Sequence, residues 1–449
     1  MKKFNLLLLS AFGASSLFAA KLDQVIVRQQ WPWSTDVKIE YKLSGVTAPV
    51  DIAVKAYNGD VELDQSKVAS ALVGDRYGIS EDGVGTIILD PVKAFGTDKV
   101  ALANFKVKLS LSDSAANVNE VIYKIFDLET GKCTDIRRAD LFDGKYGAYE
   151  TEYTKVYASA SRTPQADDLI WTGVTNDIAY KTTKLVLRKI PAKDVVWTMG
   201  DSAALRKATE WQSTGEYETN HFVRLSYDYW MGVFEVTRAQ YFKMTGKHGI
   251  VVSDENADVL PEQALLLGNY GATAAAYALY FAGQMRLKTG LDAFDVPHES
   301  EWEFACRAGT STSVYSGKDP TGNWWSGASK DIAPYAWMTG NSNGKVHPVG
   351  EKLPNAFGLY DMLGNVSECT LDLRGETSAD YFASFGTGWT PDTVVDDPPS
   401  PATGLNIYKG GAYNNEGVYI RAGERSKVRG NWTTAKDPEG MRVMLRLAE

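Results

Sequence analysis

Thiols, imidazoles and clustered carboxylates are the side chains that most often do chemistry, and this chain of 449 residues is sparing with the first two. Its three cysteines are Cys133, Cys306 and Cys369. An odd number allows at most one internal bridge and leaves a spare thiol, so this is no disulfide scaffold. Cys306–Cys369 is the pairing to consider, although nothing in the sequence brings the two together. The four histidines are His221, His248, His298 and His347. None stands at helical i, i+4 spacing from another, so a His/carboxylate facial triad for non-heme iron is poorly supported. Each reads as a surface or packing residue. Trp31-Pro32-Trp33 offers aromatic faces to a sugar, and reads equally as the packed edge of the first strand.

The elements that would position these residues differ between the two halves. From 21 to about 165 the pattern is β. Val37-Lys-Ile39-Glu-Tyr41-Lys-Leu43 and Phe105-Lys-Val107-Lys-Leu109-Ser-Leu111 alternate as half-buried strands require. Val50–Tyr57 is a third strand, closed by Asn58-Gly59-Asp60, and Val121–Phe126 a fourth, followed by the turn Glu129-Thr130-Gly131. Short strands with turn signals and no clear helix suggest an all-β, sandwich-like domain, read as a structural or adhesive module. Residues 166–184 are polar and irregular and form the linker. Beyond them tryptophans, glycines and tight turns are frequent. One convincing helix runs around Ser300–Cys306, with Trp302 and Cys306 four apart beside Ala305 on an apolar face, and Glu299, Glu301 and Glu303 at its N-terminal end. A second candidate covers Thr273–Leu287.

The first residues have the layout of a secretory signal peptide over 1–20. Lys2 and Lys3 precede an apolar stretch from Leu6 to Phe18, then Ala19-Ala20. The stretch is short for a membrane anchor, no cysteine lies near it for lipidation, and no later segment approaches a membrane span. Export, periplasmic or secreted, is the expectation. With 47 Lys+Arg against 56 Asp+Glu the formal charge is −9, and −11 once Lys2 and Lys3 are removed. Such a balance favours solubility and argues against nucleic acid as a partner.

The second half carries specific motifs. Ile190-Pro191-Ala192 with Trp197-Thr198-Met199-Gly200 is followed by Tyr229-Trp230-Met231-Gly232-Val233-Phe234-Glu235-Val236-Thr237 and then Gln240-Tyr241. Next comes Val296-Pro297-His298-Glu299-Ser300-Glu301-Trp302-Glu303-Phe304-Ala305-Cys306-Arg307-Ala308-Gly309-Thr310. Pro354-Asn355-Ala356-Phe357-Gly358-Leu359-Tyr360-Asp361-Met362-Leu363-Gly364-Asn365-Val366-Ser367-Glu368, Gly410-Gly411-Ala412-Tyr413-Asn414 and Gly440-Met441-Arg442 complete the series. In types and order these stretches resemble the formylglycine-generating-enzyme (sulfatase-modifying factor) domain, over 185–449. The resemblance implies a compact α/β, C-type-lectin-related domain of low regular-structure content, and says nothing of residues 21–165.

In that family two cysteines after the "GGS" motif bind copper and, with dioxygen, oxidise a substrate cysteine. Thiolates are soft ligands suited to Cu(I). The matching positions here are Asn415 and Ile420, and the serine is Ala412, so copper is not expected. Cys306 reads as a buried core thiol. The resemblance further implies a structural calcium site, with side-chain oxygens from Asp361 and Glu368 and backbone carbonyls from Gly364 and Val366, hard ligands on a tight turn. A first family calcium site would fall near Asn341 and Asn343, where Trp337 stands in place of an asparagine ligand. Two family tryptophans become Ser367 and Cys369, which remodels the pocket floor. Arg421, Arg425 and Arg442 fall at family arginine positions and read as structural partners of acidic residues.

The reading that follows is an exported, non-catalytic superfamily member whose pocket binds a ligand, a glycan or a peptide. An active formylglycine-generating or other metal-dependent oxidase using non-standard residues is the alternative, and a structural envelope protein the third.

Overall fold

The computed structural model describes residues 20–29, 33–63, 67–68, 71–76, 78–97, 104–113, 120–142, 146–147, 149, 170–202, 205, 218–248, 254–263, 274–319, 329–373, 377–400, 406–427 and 438–447. The signal-peptide stretch up to Ala19, and Trp31-Pro32 of the aromatic cluster, lie outside them. Two compact units emerge, one of residues 1–122 with 136–149 and one of 123–135 with 150–449.

In the first unit the alternation seen in the sequence becomes two antiparallel sheets. Strands β1 (Lys21–Gln29), β2 (Val37–Ser44), β5 (Leu72–Gly74) and β6 (Gly83–Leu89) form one in the order β1-β2-β6-β5. Strands β3 (Val50–Asn58), β4 (Val61–Glu62) and β7 (Phe105–Asp113) form the other, ordered β4-β3-β7. Val37, Ile39, Tyr41 and Leu43 from the first sheet share one apolar core with Ile52, Val54, Ala56 and Val107 from the second. The side-chain period of two turns these residues inward and leaves the lysines between them on the wetter face. The region also holds short helices: Pro91–Phe95, α1, begins with Asp90 accepting from the amides of Val92 and Lys93 and ends at Gly96, and Arg138–Phe142 is α2.

The fourth expected strand forms, but in the other unit's sheet. Strand β8 (Val121–Asp127) pairs antiparallel with β10 (Lys184–Ile190) and carries β9 (Cys133–Arg137) at its far side. The reason lies in β10, where Leu185, Val186, Leu187 and Arg188 are consecutively buried. A strand buried on both faces needs a hydrogen-bonded neighbour on each edge. Strand β8 supplies one, and β13 (Tyr229–Gly232) the other. With β14 (Phe294–Asp295) and β20 (Met444–Leu445) these make a six-stranded sheet, β14-β20-β13-β10-β8-β9. The described part of the stretch read as linker, 170–184, buries Ile170, Trp171 and Val174. It includes the short helix α3 (Ala179–Thr182).

Two smaller sheets complete the second unit. One joins β11 (Val196–Met199), β12 (His221–Arg224) and β16 (Val395–Asp396); the other runs β18-β17-β15-β19, with β15 (Ser367–Leu373), β17 (Asn406–Lys409), β18 (Ser426–Lys427) and β19 (Glu439–Gly440). Both expected helices are present. Helix α5 spans Ala274–Thr289 and α6 spans Glu299–Arg307. Before them α4 (Arg238–Thr245) starts in a capping box between Thr237 and Gln240 and stops at Gly246. Helix α6 differs from the expected half-buried helix in that all nine of its residues are buried. Its carboxylates therefore point into protein, and something must neutralise them.

Candidate functional site

The copper-ligand positions are built for packing. Ile420 is wholly buried in the main core of the unit, in the same cluster as Ala422, Met362 and Leu363. The Asn415 side-chain oxygen accepts from the Ala412 amide at 2.8 Å, closing the turn after Gly411, and its backbone carbonyl accepts from Thr339 at 3.0 Å. Neither group is a soft ligand, and each already has a structural task.

Beneath them lies a buried ionic network that neutralises α6. Lys409, the last residue of β17, sits 3.0 Å from Glu303 and 3.4 Å from Glu299. Arg307 donates to Glu303 at 2.8 Å and to the Gly200 carbonyl at 2.6 Å, and lies 3.4 Å from Asp201. Arg421 joins Asp201, Glu218 and Glu424, and Arg425 grips Glu299 with two nitrogens while its guanidinium lies 3.6 Å from the Tyr381 ring centre. Burial opposes ionisation of Glu303, but Lys409 and Arg307 outweigh it and hold this carboxyl at about 2. Glu424 goes the other way: burial, with the neighbouring Glu218, raises it well above the usual carboxylate range. The cluster thus sets Lys409, Arg307, Arg421 and Arg425 against Glu299, Glu303, Asp201, Glu218 and Glu424. Arg421 and Arg425 are structural partners of acids, as expected from the sequence.

The turn of the expected calcium ligands is a second buried polar centre. Gly364 has φ +77, and a Cβ there would stand 2.2 Å from the Trp337 carbonyl oxygen, so only glycine fits. Asp361 and Asn365 on either side also adopt positive φ, at 55 each, which these two residue types tolerate best. Glu235, from the segment after β13, joins this turn in addition to the expected ligands. It is fully buried and accepts from the Asn365 side-chain amide at 2.7 Å and the Val366 amide at 3.1 Å. Its place in the Glu235-Val236-Thr237 motif was the available signal. Glu368 is held by Arg442, at 2.7–3.1 Å, and by the Trp302 indole at 2.6 Å. Arg442 spends its other donors on the carbonyls of Gly232 and Tyr360. Burial raises Asp361 to about 6, and burial together with Asp361 and Glu368 raises Glu235 well above the usual range.

Tested against a hard cation, the two expected carboxylate ligands divide. Asp361 accepts from the Gly350 amide at 2.6 Å through one oxygen, while its other is buried with no donor, as a cation ligand would be. Glu368 does not fit as freely, because a guanidinium already supplies its positive partner. The two carboxylates are brought together, yet only one presents an open oxygen. Among the described residues no group of three or more His, Cys, Asp and Glu side chains is arranged to hold a metal ion. At the position of a first calcium site, Asn341 turns its side-chain oxygen to the Met338 amide at 2.8 Å. Trp337 there is stacked on His347 at 3.7 Å, with the Lys352 ammonium 3.7 Å from its ring centre.

The histidines are separate packing residues. His221 is buried among Tyr381, Phe382, Phe385 and Trp389, and burial lowers its pKa. His248 stacks on Phe242, and His298 meets Asp372 at 3.1 Å. Burial opposes the charge on His298, but the Asp372 carboxylate prevails and its pKa is raised. All three cysteines are free thiols, so the Cys306–Cys369 bridge is not formed. Burial raises both of those thiols, and Cys133 is pushed up to about 11 by burial. None is poised as a thiolate.

Comparison with known proteins agrees with the motifs. A stretch of the chain is 30% identical over 122 residues to the formylglycine-generating enzyme of Streptomyces coelicolor, covering 26% of this chain and 35% of that protein. Another is 30% identical over 114 residues to chaperone protein LppX of Paenibacillus barcinonensis, covering 23% of this chain and 41% of that one. The chain thus spans about a third to two-fifths of these curated relatives' lengths. Among solved structures it is similar to Treponema denticola variable protein 1, at 22% identity and TM-score 0.44, covering 59% of this chain and 96% of the other. It is also similar to PvdO from Pseudomonas aeruginosa, at 22% identity and TM-score 0.41, covering 58% and 94%. Residues 183–447 match the sulfatase-modifying factor enzyme 1-like domain, and the chain belongs to this FGE-sulfatase family.

Proposed function

We propose that this protein is an exported, non-catalytic member of its family that binds a ligand, a glycan or a peptide, through its C-terminal domain. The observation that carries the reading is Ile420: a fully buried aliphatic side chain occupies the position of a copper-binding thiolate. Asn415 at the other position is committed to its own turn. The domain matches the family over 183–447 and is built around a buried Arg442–Glu368 centre, and scaffolds of this kind serve enzymes and binding surfaces alike. Calcium belongs to the reading through Asp361, Gly364 and Val366. Glu368 would join only by giving up part of its contact with Arg442, so the affinity expected is modest.

The test is incubation of the purified full chain with a sulfatase-motif cysteine peptide, copper(I) and oxygen, read by mass spectrometry beside an active family enzyme. Unchanged peptide, with saturable binding on glycan or peptide arrays, supports the proposal. Conversion of the cysteine to the aldehyde overturns it.

A further inference from the structure

We infer that the outer surface of helices α4 and α5 is a docking face for an anionic lipid bilayer. Helix α5 turns Phe281, Ala282 and Met285 into the core. Its opposite side carries Leu279, Tyr280 and Leu287, exposed by 38, 41 and 80%. Tyr280 and Leu287 are seven residues apart and so lie two turns along one face. A side-chain carbon built at Gly283 between them would meet nothing within 4 Å, so this stretch is open. Helix α4 adds Phe242, 49% exposed.

Basic residues knit the two helices into one patch. The Lys247 ammonium lies 5.4 Å from the Tyr280 ring centre, and His248 stacks on Phe242. At the other end Lys243 pairs with the Glu129 carboxylate at 3.5 Å, and Lys288 donates to the Glu129 carbonyl at 3.1 Å. Exposed aromatic and aliphatic side chains rimmed by lysines form the composition that lies in a bilayer interface, with lysine stems alongside apolar groups and ammoniums at the headgroups. The apolar part distinguishes a lipid surface from a purely polyanionic partner, which would need the lysines alone. A chain of net charge −9 is repelled by an anionic leaflet, so approach has to be through a face of the opposite sign. Among the described residues no helix is long and apolar enough to cross a membrane, and the proposal is a surface contact.

The experiment is co-sedimentation of the purified chain with phosphatidylcholine vesicles, with and without phosphatidylglycerol, at low and physiological salt. Binding is expected only with the anionic lipid and weakens with salt. Each of Lys243→Gln, Lys247→Gln and Lys288→Gln should lower the partition coefficient about fivefold, and the triple variant about a hundredfold. Leu287→Glu should lower it further. These side chains are exposed, and an unchanged melting curve verifies that each variant is folded. Absence of binding, equal binding to both vesicle types, or equal binding by the triple variant overturns the inference. So does concentration-dependent self-association that the same substitutions abolish, which would make the face a contact between copies.

Discussion

Lys409→Met is the most direct test of how the domain is held together. Lys409 is fully buried and is the cation between two α6 carboxylates, 3.0 Å from Glu303 and 3.4 Å from Glu299. Methionine fills similar volume but leaves Glu303 with Arg307 alone. Removing one partner of a buried ion pair costs about 3–5 kcal/mol, because the remaining charge stays desolvated. The pH dependence follows from Glu303, whose carboxyl, against the effect of burial, Lys409, Arg307 and the Gly200 amide together lower. Glu303 is held at about 2 against an ordinary value of 4.5, and that depression corresponds to about 3 kcal/mol at neutral pH. The sign follows from the direction. A carboxyl lowered by folding contributes stability fully present above its unfolded value, and loses it as pH falls from about 4.5 towards 2. Lys409→Met should therefore melt roughly 6–20 °C lower at pH 7, with the difference from wild type shrinking through that acid window. Calorimetry of the full chain from pH 3 to 8 measures both. A variant within about 1 kcal/mol of wild type, with the same acid limb, would refute the assignment of Lys409 as the neutralising charge.

Asp361→Asn should stabilise the chelator-treated protein at pH 7 by up to about 3 kcal/mol, since a carboxyl raised to about 6 is costly to ionise. The advantage should fade as pH falls below 6 towards the unfolded value near 4, and the variant should lose any melting shift that calcium gives wild type. Thermal melts with and without calcium settle both points. Ile420→Ala should cost about 2–5 kcal/mol by denaturant titration, as expected for a cavity in a closed core; a cost near zero would mean that the position is an open pocket. His298→Gln should remove a small pH-dependent contribution, under about 1 kcal/mol because the pair with Asp372 is partly exposed. A histidine raised by folding stabilises below its unfolded value near 6.5 and loses the effect as pH rises through its folded one, so wild type and variant should converge in the alkaline range.

Local features of the chain were legible because they depend on near neighbours. The alternation in Val37–Leu43, the helix at Glu299–Arg307 and the tight turn at Gly364 each rest on periodicity or on one residue's backbone freedom. So did the change at the two copper-ligand positions, since no fold turns Asn415 and Ile420 into thiolate ligands. Strand β8 shows where that legibility ends. Its pattern announces a strand, but nothing in it says that the partner is β10 rather than the strands before it. Pairing is settled by which edge lacks a neighbour, a property of the assembled sheet.

The charged residues make the same division more sharply. The sequence by itself determined the family, the absence of the cysteine pair and the kinds of charge near α6. Only the tertiary structure decided that Lys409, Arg307 and Arg425 meet Glu299 and Glu303, that Arg442 takes Glu368, and that Glu235 joins Asp361 at one turn. These partners come from segments up to 126 residues apart. Burial makes each charge prohibitively costly alone, so the fold that closes over them is also what selects their partners.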